Sequence, residues 1–203
     1  DGGWFPLAIG AIVFTVMTTW RQGRSIMFNR LRASSVPLKP FLDTLFVDPP
    51  HRVPGTAIFL TATPEATPHA LLHNLNHNKV LHERVVFLTA EVTEEPWVPF
   101  QDRVRLTKLG HGCWRMNVHY GFMNEPDIAH TLEIASSLGL EFEMMSTSFF
   151  LSRETVVPVA AVNDMAFWRE KLFAMMSRNA GNAADYFKLP TNRVIELGTK
   201  VEI

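Results

Sequence analysis

Residues 56–92 read TAIFLTATPEATPHALLHNLNHNKVLHERVVFLTAEV, and three signals in this stretch point to one architecture. Residues 56–61 (TAIFLT) form a short apolar run rich in β-formers, set between Pro-Gly and Thr-Pro, which predicts a buried strand. Pro68 then opens a predicted helix over 68–77, where Ala70, Leu71 and Leu75 share one face. Residues 84–92 (RVVFLTAEV) read as a second buried strand. Strand, helix and strand within so short a span make a βαβ unit, so the two strands should run parallel with a right-handed crossover.

Downstream the pattern changes. Residues 103–109 (RVRLTKL) alternate as a half-exposed strand does, 110–112 turn on glycine, and 113–120 (CWRMNVHY) alternate again, which predicts a β-hairpin. Asp127 is placed to N-cap a helix that stops at Gly139. Residues 143–151 are expected as a strand, with 154–159 as its hairpin partner around Ser152 and Arg153. Asn163 or Asp164 is expected to cap a helix over 165–178, with Phe167, Leu172, Phe173 and Met176 in the core. A short helix at 183–187 and a strand at 193–202 follow. The predicted order β-α-β-β-β-α-β-β-α-β is an α/β fold: a mixed sheet with helices packed on it.

Upstream of Gly55 the chain is of another kind. Residues 4–20 (WFPLAIGAIVFTVMTTW) carry no charge. As a helix they span about 25 Å, slightly short of a hydrocarbon core, so the flanks carry the argument. Trp4 and Trp20 bracket the run, where amphipathic rings favour the membrane interface. Asp1 precedes it, and Arg21, Arg24, Arg30 and Arg32 follow. That order is the reverse of a signal peptide's, and by the positive-inside rule it puts the C-terminal side in the cytoplasm. The start, DGG without methionine, reads as a fragment whose earlier part is missing. The expected division is therefore a transmembrane helix at 1–20, a juxtamembrane linker at 21–54 and a cytoplasmic α/β domain at 55–203. Within the linker, 25–33 (SIMFNRLRA) reads as a continuation of the span, or else as a basic piece lying on the inner leaflet. Residues 41–47 (FLDTLFV) read as a short helix or an extended piece docked on the domain.

The formal net charge of −1 gives no reason to expect nucleic acid as a partner, and the single cysteine, Cys113, excludes an internal disulfide. Cys113 itself reads as a small core hydrophobe. His69, His73 and His77 are four apart, so on a helix they share a face that can hold a metal, but no Cys or acid cluster accompanies them. They read as a polar helix end, and no metal is expected. Ser148, Arg153 and Glu154 lack a G-x-S-x-G elbow, and Arg153 and Glu154 are expected at a turn tip, so no catalytic residue is assigned. Open α/β sheets bind ligands at the carboxyl ends of their strands, beside the next helix's N-terminus. Thr61, Thr63, Thr67 and His77 are the candidate contacts there for an anion or a regulatory nucleotide, although TATPEATP has no glycine to let a phosphate approach closely.

Longer strings carry a resemblance. GGWFPL followed by the apolar run and MTTWRQGR is similar to the last transmembrane segment of the KUP/HAK/KT potassium uptake permeases. HNLNHNKVLHE, VHYGFMNEPDI, TSFFLSRET and NRVIELGTKVEI resemble, in order, segments of that family's C-terminal cytoplasmic domain. The ending VEI resembles the shorter bacterial members. The resemblance implies a non-enzyme: a multi-pass, proton-coupled potassium importer of the inner membrane, dimeric, with potassium, protons and lipid as partners and no required cofactor. Its ion path lies in earlier helices, so no residue of this chain is assigned to potassium or protons. The soluble part is then a regulatory or dimerisation module. The rival reading is a membrane-anchored nucleotide-binding sensor or enzyme domain, and at the level of fold alone the soluble part resembles universal stress proteins.

Overall fold

The computed structural model describes residues 3–159 and 165–203. Contacts gather the chain into two compact units: Val36–Arg153 with Gly181–Leu197, and Asp1–Ser35 with Glu154–Ala180 and Gly198–Ile203. The expected capping residues Asn163 and Asp164 lie outside the described residues.

In the second of these units α1 (Trp4–Ala33) is one unbroken helix that passes through the expected boundary at residue 20. Its first half is exposed all round, as an uncharged helix built for lipid would be in the absence of other partners. The hydroxyls of Thr15 and Thr18 donate to the carbonyls of Ala11 and Phe14, both at 2.8 Å, so neither is left unsatisfied. From Thr19 onward one face is covered. Trp20, Ile26, Met27 and Leu31 pack with Phe173, Ala174, Val201 and Ile203.

The larger unit opens with α2 (Leu38–Leu45), which begins three residues before the expected piece and carries Pro40 in its first turn. A helix tolerates proline there because the N–H that proline lacks has no intrahelical partner. Strand β1 (His51–Leu60) leads through α3 (His69–Asn78) to β2 (Val80–Thr93). The two strands pair in parallel, with a bulge between Val53 and Thr56 that accommodates Pro54 and Gly55. Gly55 there has φ +102°, and a Cβ would sit 2.6 Å from the Ser146 carbonyl oxygen. The antiparallel hairpin of β3 (Val104–Gly110) and β4 (Cys113–Gly121) follows, with β4 parallel to β2. Next come α4 (Ile128–Ser137), capped by the Asp127 carboxylate accepting from the His130 N–H at 2.9 Å, and β5 (Thr147–Val157). The chain ends with α5 (Phe167–Arg178), α6 (Ala183–Tyr186) and β6 (Val194–Glu202). The six-stranded mixed sheet has the order β3-β4-β2-β1-β5-β6, the expected α/β class.

Both faces of the central strands are buried. Ala57, Phe59, Val85, Phe87 and Phe150 meet α2 and α3, whereas Ile58, Val86, Leu88, Phe149 and Leu151 meet α4. Parallel strands covered on both sides read as continuous apolar runs for this reason.

Two expectations need correction. The hairpin over 143–159 does not exist: β5 runs straight through Ser152 and Arg153, and the sheet has one strand fewer than expected. No Gly, Asn or Pro occupies 152–154 to reverse the chain, and alternation continues to Val157. Arg153 is therefore mid-strand, with its guanidinium 3.2 Å from Glu196, rather than at a turn tip. Phe167, expected in the core, is exposed, because α5 buries Glu170, Phe173 and Ala174 instead.

Candidate functional site

The loop after β1 is held by its own threonines. The Thr61 hydroxyl donates to the Thr63 carbonyl at 3.1 Å and accepts from the Thr63 N–H at 3.3 Å. Thr61 also donates its N–H to the Leu88 carbonyl at 2.9 Å, which ties the loop to β2. The connector before α2 crosses this loop. The Thr67 N–H donates to the Val36 carbonyl and the Leu38 N–H to the Glu65 carbonyl, both at 2.8 Å, around an antiparallel bridge between Pro37 and Ala66. Glu65 then grips Arg115 of β4 through two guanidinium bonds of 2.8 and 3.2 Å. The loop entering α3 is thereby stretched across the sheet toward β4.

Register and alternation set what lies on that side of the sheet. Thr89 is paired with Asn117, Phe87 with Arg115 and Glu91 with His119. Since Phe87 belongs to the α2/α3 side, Thr89, Arg115 and Asn117 face the same way. Thr67 and Thr89 are 2% and 1% exposed, and neither hydroxyl has a partner. Arg115 Nε and Asn117 Oδ1 are likewise buried and unpartnered. Leaving one such group unpaired costs about 1–3 kcal/mol, so four on one side of a sheet are unusual. Two hydroxyls, one guanidinium N–H and the positive dipole end of α3 make a donor set suited to an anion's oxygens, whereas Asn117 Oδ1 is an acceptor that needs a donor in return.

Thr61 and Thr63 bond each other and Thr67 lies in the same loop before α3, whereas His77 lies at the far end of that helix. His77 sits in the last turn of α3, beyond roughly 12 Å of helix rise from His69, and its ring stacks on His73 at 6.0 Å. Among the described residues no three His, Cys, Asp or Glu side chains are grouped to hold a metal. Cys113 is fully buried against α2 and α3, and burial pushes its thiol up to about 11. His82, on β2, has its pKa lowered by burial. At the other end of the chain, Trp4 stands exposed, while Trp20 lies on Phe173 at 5.5 Å with the Arg24 guanidinium 6.0 Å from its ring, and Arg21 is exposed. α1 is the one helix among the described residues long and apolar enough to cross a membrane.

Residues 54–203 match the model of the family described as the K+ potassium transporter C-terminal domain. The chain belongs to this family. The resemblance to potassium uptake permeases read from the sequence therefore holds. "Probable potassium transport system protein Kup 2" of Cupriavidus necator is 58% identical over 205 residues, covering 100% of this chain and 32% of the relative. Proteins named "Probable potassium transport system protein Kup" from Herminiimonas arsenicoxydans and Janthinobacterium sp. (strain Marseille) are 58% and 59% identical over 202 residues, again across 100% of this chain and 32% of theirs. The chain thus spans about a third of the length of these curated relatives. No solved structure gives a significant match.

In this potassium transporter C-terminal domain, sequence reasoning missed Glu65, Thr89, Arg115 and Asn117. A signal was present. The alternation of CWRMNVHY puts Cys113, Arg115 and Asn117 on one face of a strand that lies beside β2, which is apolar on both faces. A guanidinium and an amide on such a face need partners, and that need marks them.

Proposed function

We propose that this chain is the cytoplasmic end of a proton-coupled potassium importer of the inner membrane. In this reading the uncharged half of α1 is a multi-pass protein's last span. The six-stranded domain is a regulatory module that acts in a homodimer and takes an anion, such as a nucleotide's phosphate, at Thr67, Thr89 and Arg115. One observation carries the reading: an exposed, uncharged half-helix followed by arginines, in a chain similar over its whole length to relatives named as potassium transport proteins. The ligand part is supported by three unpartnered donors, the Thr67 and Thr89 hydroxyls and Arg115 Nε.

Cells lacking other potassium uptake and expressing the full-length polypeptide should grow at low potassium and accumulate rubidium, and an uncoupler should abolish the accumulation. Growth without uncoupler sensitivity would refute proton coupling, and no uptake would refute the transporter reading. For the ligand, adenine nucleotides or inorganic phosphate should raise the melting temperature of the purified protein as RT ln(1 + [L]/Kd) requires, with the shift lost in Thr89→Val. Concentration-dependent association with no shift at millimolar ligand would leave a dimerisation module only.

A further inference from the structure

Helix α5 is tied to α1 at one level, the point where the uncharged run ends. Arg169 Nε donates to the Thr19 hydroxyl at 2.9 Å. Phe173 lies against Trp20 and against Gly23, where a Cβ would enter its ring. These contacts bury Glu170, Phe173 and Ala174 of α5. Among the described residues nothing covers the opposite face. Trp168 is 57% exposed and Met175 52%, and with Lys171 and Arg178 they follow the three- and four-residue spacing of one helical stripe. Phe167 stands beside the stripe, with Lys171 Nζ 4.4 Å from its ring. A large aromatic and a methionine beside two cations with long stems can seat in the interface while the charges snorkel to the headgroups, at the level where the uncharged run ends. Charge agrees. The unit holding α1 and α5 carries eight Lys and Arg against five Asp and Glu, although the whole chain has net charge −1.

We propose that α5 is an interfacial anchor: Phe167, Trp168 and Met175 enter the headgroup layer on the arginine side of α1, and Lys171 and Arg178 bind anionic lipid there. The occupant is the membrane that α1 enters, because Thr19, Trp20 and Gly23 continue directly from the lipid-suited run into the α5 contact. This inference rests on the reading of α1 as a span.

The test places a nitroxide at single cysteines in the full-length protein, reconstituted in phosphatidylcholine vesicles with and without phosphatidylglycerol. Trp168→Cys and Met175→Cys report on α5. Val47→Cys, at a position 83% exposed in the larger unit, is the aqueous reference, and Phe14→Cys checks the span. Labels at 168 and 175 should be accessible to oxygen, with nickel-chelate access several-fold below that at 47. Phosphatidylglycerol should lower the nickel access further, and Lys171→Glu should reverse that change. Nickel access at 168 equal to that at 47 overturns the proposal. So does exclusion of both reagents, which would mean that protein covers the stripe, and so does indifference to headgroup charge. If Phe14→Cys is itself open to nickel, it is the span reading that fails. If position 14 is shielded and 168 is not, the failure belongs to α5 alone.

Discussion

Cys113 shows how one position couples packing to titration. Its thiol is fully buried between β4 and the α2/α3 side, and burial raises its pKa from 9.0 to about 11 against the opposing charge of Arg52. The folded chain therefore keeps a proton that the unfolded chain has lost. The associated stability is complete below pH 9.0 and is lost as pH climbs through about 11. Denaturant unfolding at neutral and alkaline pH should show this loss, on the order of 2–3 kcal/mol, and Cys113→Ala should remove it. The same burial should make Cys113 slow toward thiol reagents until the chain unfolds. Its reading as a small core residue was available from its place in an alternating strand. The four unpartnered groups were less accessible, because a polar side chain's lack of a partner depends on what other segments bring near it.

At the scale of elements, helix contact depends on small residues where two axes approach. Gly23 gives Phe173 its place, so Gly23→Ala should force the ring aside and cost about 1–3 kcal/mol in thermal unfolding of the membrane-reconstituted chain. Combined with Phe173→Leu, it should cost less than the two substitutions summed, since the smaller side chain relieves the overlap. Additive effects would mean that the two residues do not meet. Strand β5 makes the complementary point. Its first half is parallel to β1 over Thr147–Phe150, and nothing in its sequence reverses it, yet a polar Ser-Arg-Glu in mid-run resembles a turn when read alone.

Across the whole molecule, segments distant in sequence complete each unit. The connector is the clearest case. Leu38 and Leu42 are buried beside Phe59 and Phe87, so residues expected as linker are part of the core. Leu38→Ala should cost about 2–5 kcal/mol in denaturant unfolding, whereas Val47→Ala, a few residues on and exposed, should stay within about 0.5 kcal/mol. Equal, small effects would show the connector to be a tether.

The lipid-suited helix, the separate strand, helix and strand over 51–93, the β3–β4 hairpin and the Asp127 cap all follow from spacing, charge order and capping chemistry within a few residues of each other. Such patterns are local, and a linear chain displays them in full. The connector's burial, the seat of α5 on α1, the separation of His77 from Thr67, and the facing of Thr89, Arg115 and Asn117 were settled only by folding. Each joins residues from separate segments, such as Thr89 with Asn117 and Thr19 with Arg169, or depends on how far one helix carries its ends from each other. No local period records such distances.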